Sequence, residues 1–267
     1  MPNGEQPVEP TQPVTARPAS ATVLIRDGEG GSDGNAGGVE VFMVRRHVQS
    51  EFVPDVFVFP GGSVNAADRA VERAPHLCAP VGEGATTLGS GFRAAALREM
   101  FEEAGVLLAR TGATPLTFDA ATVARYGAYR DQLNARQSTL AQIAEREGLT
   151  LATDALLHWA HWITPEAWPK RFDTHFFLAA APAGQQAAHD ALETTDSVWI
   201  TPEDALASFE RGDFPLVFAT IHQLRDLTDL PDVATAFARF TNTTPRTIMP
   251  RVVQRDGADV ILLPDEE

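Results

Sequence analysis

Three carboxylates, Glu99, Glu102 and Glu103, recur at i, i+3 and i+4 within residues 92–108. At about 100° per residue this stretch reads as an amphipathic helix, with Leu97, Met100, Phe101 and Ala104 on one side and the glutamates converging on the other. Gly105 supplies the stop. Like charges at these spacings cost about 0.2–0.5 kcal/mol per pair, so helix stability does not account for them. A hard divalent cation reverses the sign. Mg²⁺ or Mn²⁺ prefers carboxylate oxygens and leaves positions for water and phosphate oxygens. The competing reading is a solvated acidic helix in which Arg98 pairs with Glu102 one turn on. The whole pattern, Arg98-Glu99-x-x-Glu102-Glu103-x-Gly105, favours the cation, because five fixed residues at roughly 5–7% usage coincide about once per million start positions.

At these residues the chain resembles the Nudix hydrolases, whose signature runs Gly, five residues, Glu, seven residues, then Arg-Glu-x-x-Glu-Glu-x-Gly and an aliphatic residue. The second half is complete and ends in Val106. The first half is present as Phe59-Pro60-Gly61-Gly62, with Asp68 where the signature has Glu. Between Asp68 and Arg98 lie 29 residues where the signature has seven, an insertion of 22. A box split at this point resembles the Nudix motif 19 branch of coenzyme A diphosphatases. The resemblance implies an α/β fold, an α/β/α sandwich around a small mixed sheet, with Mg²⁺ or Mn²⁺ held by Glu99, Glu102 and Glu103. It implies that Glu103, or a loop acid such as Glu193 or Asp196, takes a proton from water, and that Arg98 holds the glutamates in place. Gly61 and Gly62 let the backbone approach the metal, where the family uses a carbonyl ligand. The implied substrate is a small-molecule diphosphate, coenzyme A or its acyl esters, cleaved to 3',5'-ADP and a phosphopantetheine. ADP-ribose, NADH and nucleotide sugars stay open. So does a module that binds a nucleotide without cleaving it, although such modules typically lose a box glutamate.

Two further cations are candidate substrate contacts. Arg45 and Arg46 end a strand-like run, and alternation sends one of them inward. Arg46 is the choice for substrate phosphate, with a surface ion pair as the alternative. Arg171, in Arg171-Phe172-Asp173-Thr174, is a candidate phosphate or adenine contact, and Asp173 a residue that orients it. His158 and His161 sit three apart in a strand-like segment with no Cys or acidic residue nearby in sequence, so they read as structural rather than zinc ligands. Cys78 has no neighbouring histidine and reads as an inert thiol.

The elements that must position these groups follow in order. Residues 1–18, rich in Pro, Gln, Thr and Glu, read as a disordered tail, and residues 19–267 as a single domain. Residues 19–26 and 39–44 read as strands joined by a floppy connection with six glycines over residues 27–38. A phosphate-cradling loop there lacks a Gly-Lys-Ser/Thr ending. The insertion, about residues 69–91, carries Pro75, Pro80 and four glycines and reads as irregular, with Ser90 capping the helix that follows. A second insertion, about residues 115–155, shows helical spacing broken near 134–138, which predicts two helices covering one side of the cleft, the second closed by Gly148. Residues 156–163, 171–178 and 196–200 read as strands. Residues 202–211, 214–227 and 233–240 read as helices, and 247–264 as a hairpin turning at Asp256-Gly257.

The formal charge of −15 argues against nucleic-acid backbones and anionic membranes as partners, and requires local arginines and a metal to receive a phosphate-bearing substrate. One cysteine excludes an intramolecular disulfide. The first residues show no basic segment followed by an apolar core, no apolar run reaches 18 residues, and the last three are not a peroxisomal signal, so a cytoplasmic protein is expected. Monomer and homodimer are equally compatible with the sequence.

Overall fold

The computed structural model describes residues 14–29, 37–50, 52–82, 88–190 and 192–266. Two strands come first, Arg17–Asp27 (β1) and Val39–Arg46 (β2), paired antiparallel with Ile25 opposite Val41. The glycine-rich stretch is thus a hairpin connection, and its residues 30–36 lie outside the described residues. β1 starts earlier than expected: Arg17 and Pro18, assigned above to the tail, already pair with the strand bearing Phe172 and Asp173. Residues 1–13 of that tail lie outside the described residues. Short strands Phe57–Val58 (β3) and Gly61–Ser63 (β4) join β2 and β1.

The first insertion is not irregular throughout. It opens with a five-residue helix, Ala66–Ala70 (α1), and two 3-10 turns over Val71–Arg73 and Pro75–Leu77. The cause is local. The Asn65 side chain accepts from the N–H groups of Ala67 and Asp68, and the Asp68 side chain accepts from the Asn65 N–H, so two orphan donors are satisfied reciprocally. Residues 83–87 lie outside the described residues. The box helix, Ser90–Ala104 (α2), then begins with Gly89 rather than Ser90 at its cap, without a side-chain bond, and ends at Gly105 with φ 70°.

Strands Ala109–Thr111 (β5) and Thr114–Pro115 (β6) lead to helices Ala120–Asn134 (α3) and Leu140–Glu147 (α4), then to Thr150–Leu151 (β7). The two helices form where the spacing places them, capped by Asp119 and Thr139, and Gly148 closes α4 with φ 62°. Next come Leu157–Ile163 (β8), Phe172–Ala180 (β9) and Thr194–Ile200 (β10), followed by helices Pro202–Glu210 (α5), Phe218–Asp226 (α6) and Val233–Phe240 (α7). α6 starts four residues later than the spacing suggests, because Leu216 bridges to Phe57 and the Pro215 carbonyl accepts the Phe57 N–H. A short strand, Thr247–Ile248 (β11), and the hairpin of Arg251–Arg255 (β12) with Ala258–Leu262 (β13) end the fold.

The main sheet runs β10-β2-β1-β9-β8-β11, with β1·β9 and β8·β11 parallel and the other pairs antiparallel. Val23, Leu24 and Ile25 are all fully buried, as a continuous apolar run demands when both faces of a strand are covered. Leu24, Phe42 and Phe177 pack with Leu97, Met100 and Phe101 of α2, while Val23, Met43 and Leu178 pack under Ala205, Leu224 and Phe240 of α5, α6 and α7. Each such side chain stabilises by about 1.5–3 kcal/mol relative to exposure. The result is the expected α/β/α sandwich, and no helix among the described residues is long and apolar enough to cross a membrane.

Arg171 belongs to this framework. It is buried, and its guanidinium donates to the carbonyls of Thr164 at 3.0 Å and Val14 at 2.7 Å and reaches Met249 Sδ at 3.5 Å. It clips the chain before β1 to the β8–β9 connection and to the segment before β12. Arg171→Lys, which cannot span these acceptors, is expected to lower stability by about 1–3 kcal/mol in denaturant unfolding while leaving KM in any activity assay unchanged. A raised KM with undiminished stability would contradict this assignment.

Candidate active site

β4 and α2 meet edge to side, and the contact is set by glycine. Gly61 and Gly62 pair with Ala21 and Ser20 of β1, and a Cβ on Gly61 would lie 2.6 Å from the Ala21 Cβ. A Cβ on Gly62 would lie 2.4 Å from Glu99 Oε1. The Gly61 N–H donates to Glu103 Oε2 at 3.0 Å. On the other side, Thr22 Oγ1 donates to the Ala96 carbonyl at 3.1 Å and anchors α2 to β1.

Arg98 gathers the rest. Its Nε and Nη2 donate to the two oxygens of Asp68, each at 2.9 Å, Nη2 also to the Ser63 carbonyl at 3.0 Å, and Nη1 to Glu102 Oε2 at 2.6 Å. Glu99 Oε1 lies 2.8 Å from Nη2. The expected Arg98–Glu102 pair therefore exists, but inside a buried network rather than on a solvated face: Glu99 is 8% exposed and Glu103 7%. Asp68, given no role beyond its box position by the sequence reading, is buried and bridges the split box. The Asn65-x-x-Asp68 cap pattern was the signal that could have located it, since that cap delivers its carboxylate to Arg98.

Burial dominates the electrostatics. It pushes Glu99 up to about 7 against the pull of Arg98, with Glu102 and Asp68 adding repulsion. Burial and the Glu99 charge push Glu103 well above the usual carboxylate range, although the Gly61 N–H and Arg46 pull the other way. Burial raises Glu102 as well, with Arg98 opposing. Hard oxygen donors that burial and mutual repulsion hold back from ionising fit a divalent cation of the Mg²⁺ or Mn²⁺ class, which would replace the missing positive charge.

Strand alternation resolves the arginine pair. Arg45 bonds Asp55 at 2.8 Å on the surface, whereas Arg46 turns into the cleft with its Nε buried and without a hydrogen-bond partner among the described residues. Of the two loop acids, Glu193 borders the cleft and its charge raises both Glu102 and Glu103, while Asp196 accepts the Ser197 N–H and is not part of the lining. The cleft encloses about 1340 Å³. Its lining combines the carboxylates and Arg46 with Phe52, Trp162, Trp168, Phe172 and Phe218, and includes Leu140 of α4. Phe52 sits edge-on to Trp168 and Phe172, at 6.1 and 5.0 Å between ring centroids.

Two expectations are corrected. Arg171 does not reach the cleft, because the three acceptors described above hold its guanidinium. Asp173 does not orient it, and instead faces His161, supplying the acidic partner that the sequence around the histidines lacks. Cys78 stays an inert thiol, its ionisation pushed up by burial despite a bond from Thr153.

A family model described as the NUDT19 Nudix domain matches residues 82–227. A putative nudix hydrolase 7 of Caenorhabditis elegans is 27% identical over 194 residues, covering 72% of this chain and 57% of that protein. Acyl-coenzyme A diphosphatase NUDT19 of Gallus gallus is 28% identical over 226 residues, covering 69% and 60%, and its Homo sapiens counterpart 26% identical over 240, covering 74% and 64%. The chain thus spans about 60% of the length of the curated relatives it matches. The crystal structure of a NUDIX hydrolase from Alicyclobacillus acidocaldarius superposes with a TM-score of 0.69 at 26% identity, covering 86% of this chain and 99% of that one.

The raised Glu99 has a definite pH signature. Its folded pKa of about 7 exceeds the model-compound value of 4.5, so the native state binds more protons than the unfolded one between them, and the stability it contributes at low pH is lost as pH rises through 7. Without divalent metal, the wild type should therefore lose Tm relative to Glu99→Gln on going from about pH 6 to about pH 8, and saturating Mg²⁺ or Mn²⁺ should shrink that loss. Parallel pH profiles for the two proteins, by calorimetry, would remove Glu99 from the cation site. Gly62→Ala, by displacing the Glu99 carboxylate, should weaken the metal-induced Tm shift at pH 8.

Proposed function

This chain belongs to the Nudix hydrolases, in the group defined by the NUDT19 Nudix domain, and from that premise we propose that it hydrolyses the diphosphate linkage of coenzyme A or an acyl-coenzyme A to 3',5'-ADP and the corresponding phosphopantetheine. One observation carries the reading: a buried guanidinium nitrogen of Arg46 without a partner among the described residues faces the same cleft as the buried Glu99 and Glu103 and the partly buried Glu102. A site that combines an unmet cationic donor with a cation-demanding carboxylate cluster suits a bridging diphosphate, which satisfies both at once.

Glu99, Glu102 and Glu103 would hold Mg²⁺ or Mn²⁺, which when bound neutralises diphosphate charge and makes a nearby water easier to deprotonate. The side chains do the rest. Arg46 binds a phosphate oxygen and fixes the diphosphate near the carboxylates. Arg98 positions Glu99 and Glu102 through the Asp68 clamp. Glu103, whose environment makes it the more basic carboxylate, takes the proton of the attacking water. The water oxygen bonds to one phosphorus as the P–O bond of the bridge breaks, and the bridging oxygen leaves with the other phosphate. The aromatic side chains of the lining receive the non-phosphate part and exclude water from it.

The split box and the relatives bearing the name acyl-coenzyme A diphosphatase support coenzyme A over other diphosphates. So does a cleft lined by both charged and aromatic side chains, which suits a ligand with a phosphate part and a non-phosphate part. Incubation with Mg²⁺ or Mn²⁺ and coenzyme A, ADP-ribose or NADH, with products resolved by chromatography, should give 3',5'-ADP from coenzyme A at the highest kcat/KM. Turnover of ADP-ribose with inert coenzyme A would overturn the substrate assignment. Glu103→Gln should lower kcat about 10²–10⁴-fold and Glu193→Gln less than about tenfold, the reverse ranking making the loop acid the base.

A further inference from the structure

We propose that His161, Asp173 and His175 form a second metal site, selective for a zinc-type transition ion and distinct from the carboxylates of α2. None of the three lines the cleft. They meet because of strand register. His161 of β8 lies directly opposite His175 of β9, and Asp173, two residues before His175, projects from the same face. One ligand atom from each residue lies within 4.8 Å of the others. His161 Nε2 is 2.5 Å and His175 Nε2 3.9 Å from Asp173 Oδ1.

The remaining ring nitrogens already have partners of the kind that orient metal-binding histidines. His161 Nδ1 lies 2.8 Å from Thr247 Oγ1, and His175 Nδ1 lies 2.9 Å from His158 Nε2. With both Nδ1 atoms protonated toward those acceptors, both Nε2 lone pairs turn toward the Asp173 carboxylate. Without a cation, His161 Nε2–H donates to Asp173 Oδ1, and a bound metal ion would take the place of that proton.

The donor set decides the ion. Two imidazole nitrogens and one carboxylate oxygen match Zn²⁺, with Co²⁺, Ni²⁺ and Cu²⁺ following, and disfavour Mg²⁺, which seeks oxygen. Asp173, 35% exposed at its side chain, leaves a solvent side through which an ion enters and where water completes the coordination, while the histidines are 15% and 11% exposed. The two rings are stacked at 4.0 Å with 10° between their planes, so closing on one ion tips them toward Asp173 by side-chain rotation. Such an ion would tie β8 to β9 and, through Thr247, hold β11 against β8.

The test uses the full chain, any affinity tag removed, stripped of metal and then saturated with Mg²⁺ before Co²⁺ is added. The wild type should bind one equivalent of Co²⁺ with visible d–d bands, and Zn²⁺ should displace it and raise Tm. His161→Gln and Asp173→Asn should each weaken Co²⁺ binding about tenfold or more, while Glu99→Gln keeps it. Thr247→Val, which retains all three ligands, should weaken binding less than either and serves if the ligand variants do not fold. Absence of Co²⁺ binding by the Mg²⁺-loaded wild type, unchanged affinity in His161→Gln or, where it does not fold, in Thr247→Val, or loss of the bands in Glu99→Gln would each overturn the site. The readout is independent of hydrolase activity, so failure here leaves the proposed reaction standing, and the reverse also holds.

Discussion

Arg98 is the interaction on which the site depends. Each nitrogen of its guanidinium meets oxygen: both atoms of Asp68, the Ser63 carbonyl, Glu99 and Glu102. Burial alone would penalise its charge, yet the bonds to Asp68 and the charges of Glu99, Asp68 and Glu102 more than offset that penalty. The clamp spans 30 residues of sequence, from α1 to α2, and so reunites the two halves of an interrupted motif. An insertion at this point is tolerable because loop-closure entropy grows slowly with length, and because α1 presents Asp68 as a capped, fixed carboxylate. A lysine in place of Arg98 could not reproduce this fork.

What was legible in the sequence was whatever depends on local spacing. Glu99, Glu102 and Glu103 share a helix, and α2, α3 and α4 follow from periodicity, with glycine stops closing α2 and α4. Alternation set Arg45 and Arg46 on opposite faces, and it is the structure that shows Arg45 satisfied outside by Asp55 and Arg46 turned into the cleft. What was not legible depends on register between distant strands. Arg171 looked like a substrate contact because its true acceptors, Thr164, Val14 and Met249, come from three separated segments. His161 looked unpartnered because Asp173 reaches it only when β8 and β9 are aligned. Arg93, also on α2, is a further case: it is buried and donates to the carbonyls of Thr153 and Leu156, which no helical pattern announces. The insertion was misread for a different reason, since its proline and glycine content masked a cap visible at Asn65 and Asp68.

Charge balance explains why so unfavourable a cluster is retained. Around α2, the four carboxylates of Asp68, Glu99, Glu102 and Glu103 face two guanidiniums, Arg98 and Arg46, which leaves two negative charges when all are ionised. In a buried site that imbalance is not carried freely. Either protons are taken up, which is the meaning of the raised Glu99 and Glu103, or a divalent ion supplies the missing charge. Protonation would silence the carboxylates as ligands and bases, so the same burial that destabilises them as anions makes them selective for a strongly charged cation. A diphosphate adds further negative charge to a chain already at −15, and nothing in the bulk composition would draw it in. On the proposed reading its reception is local, by Arg46 and by the cation the carboxylates would hold. Arg98, whose nitrogens all engage Asp68, Ser63, Glu99 or Glu102, would on the same proposal set the positions of the others rather than meet the substrate itself.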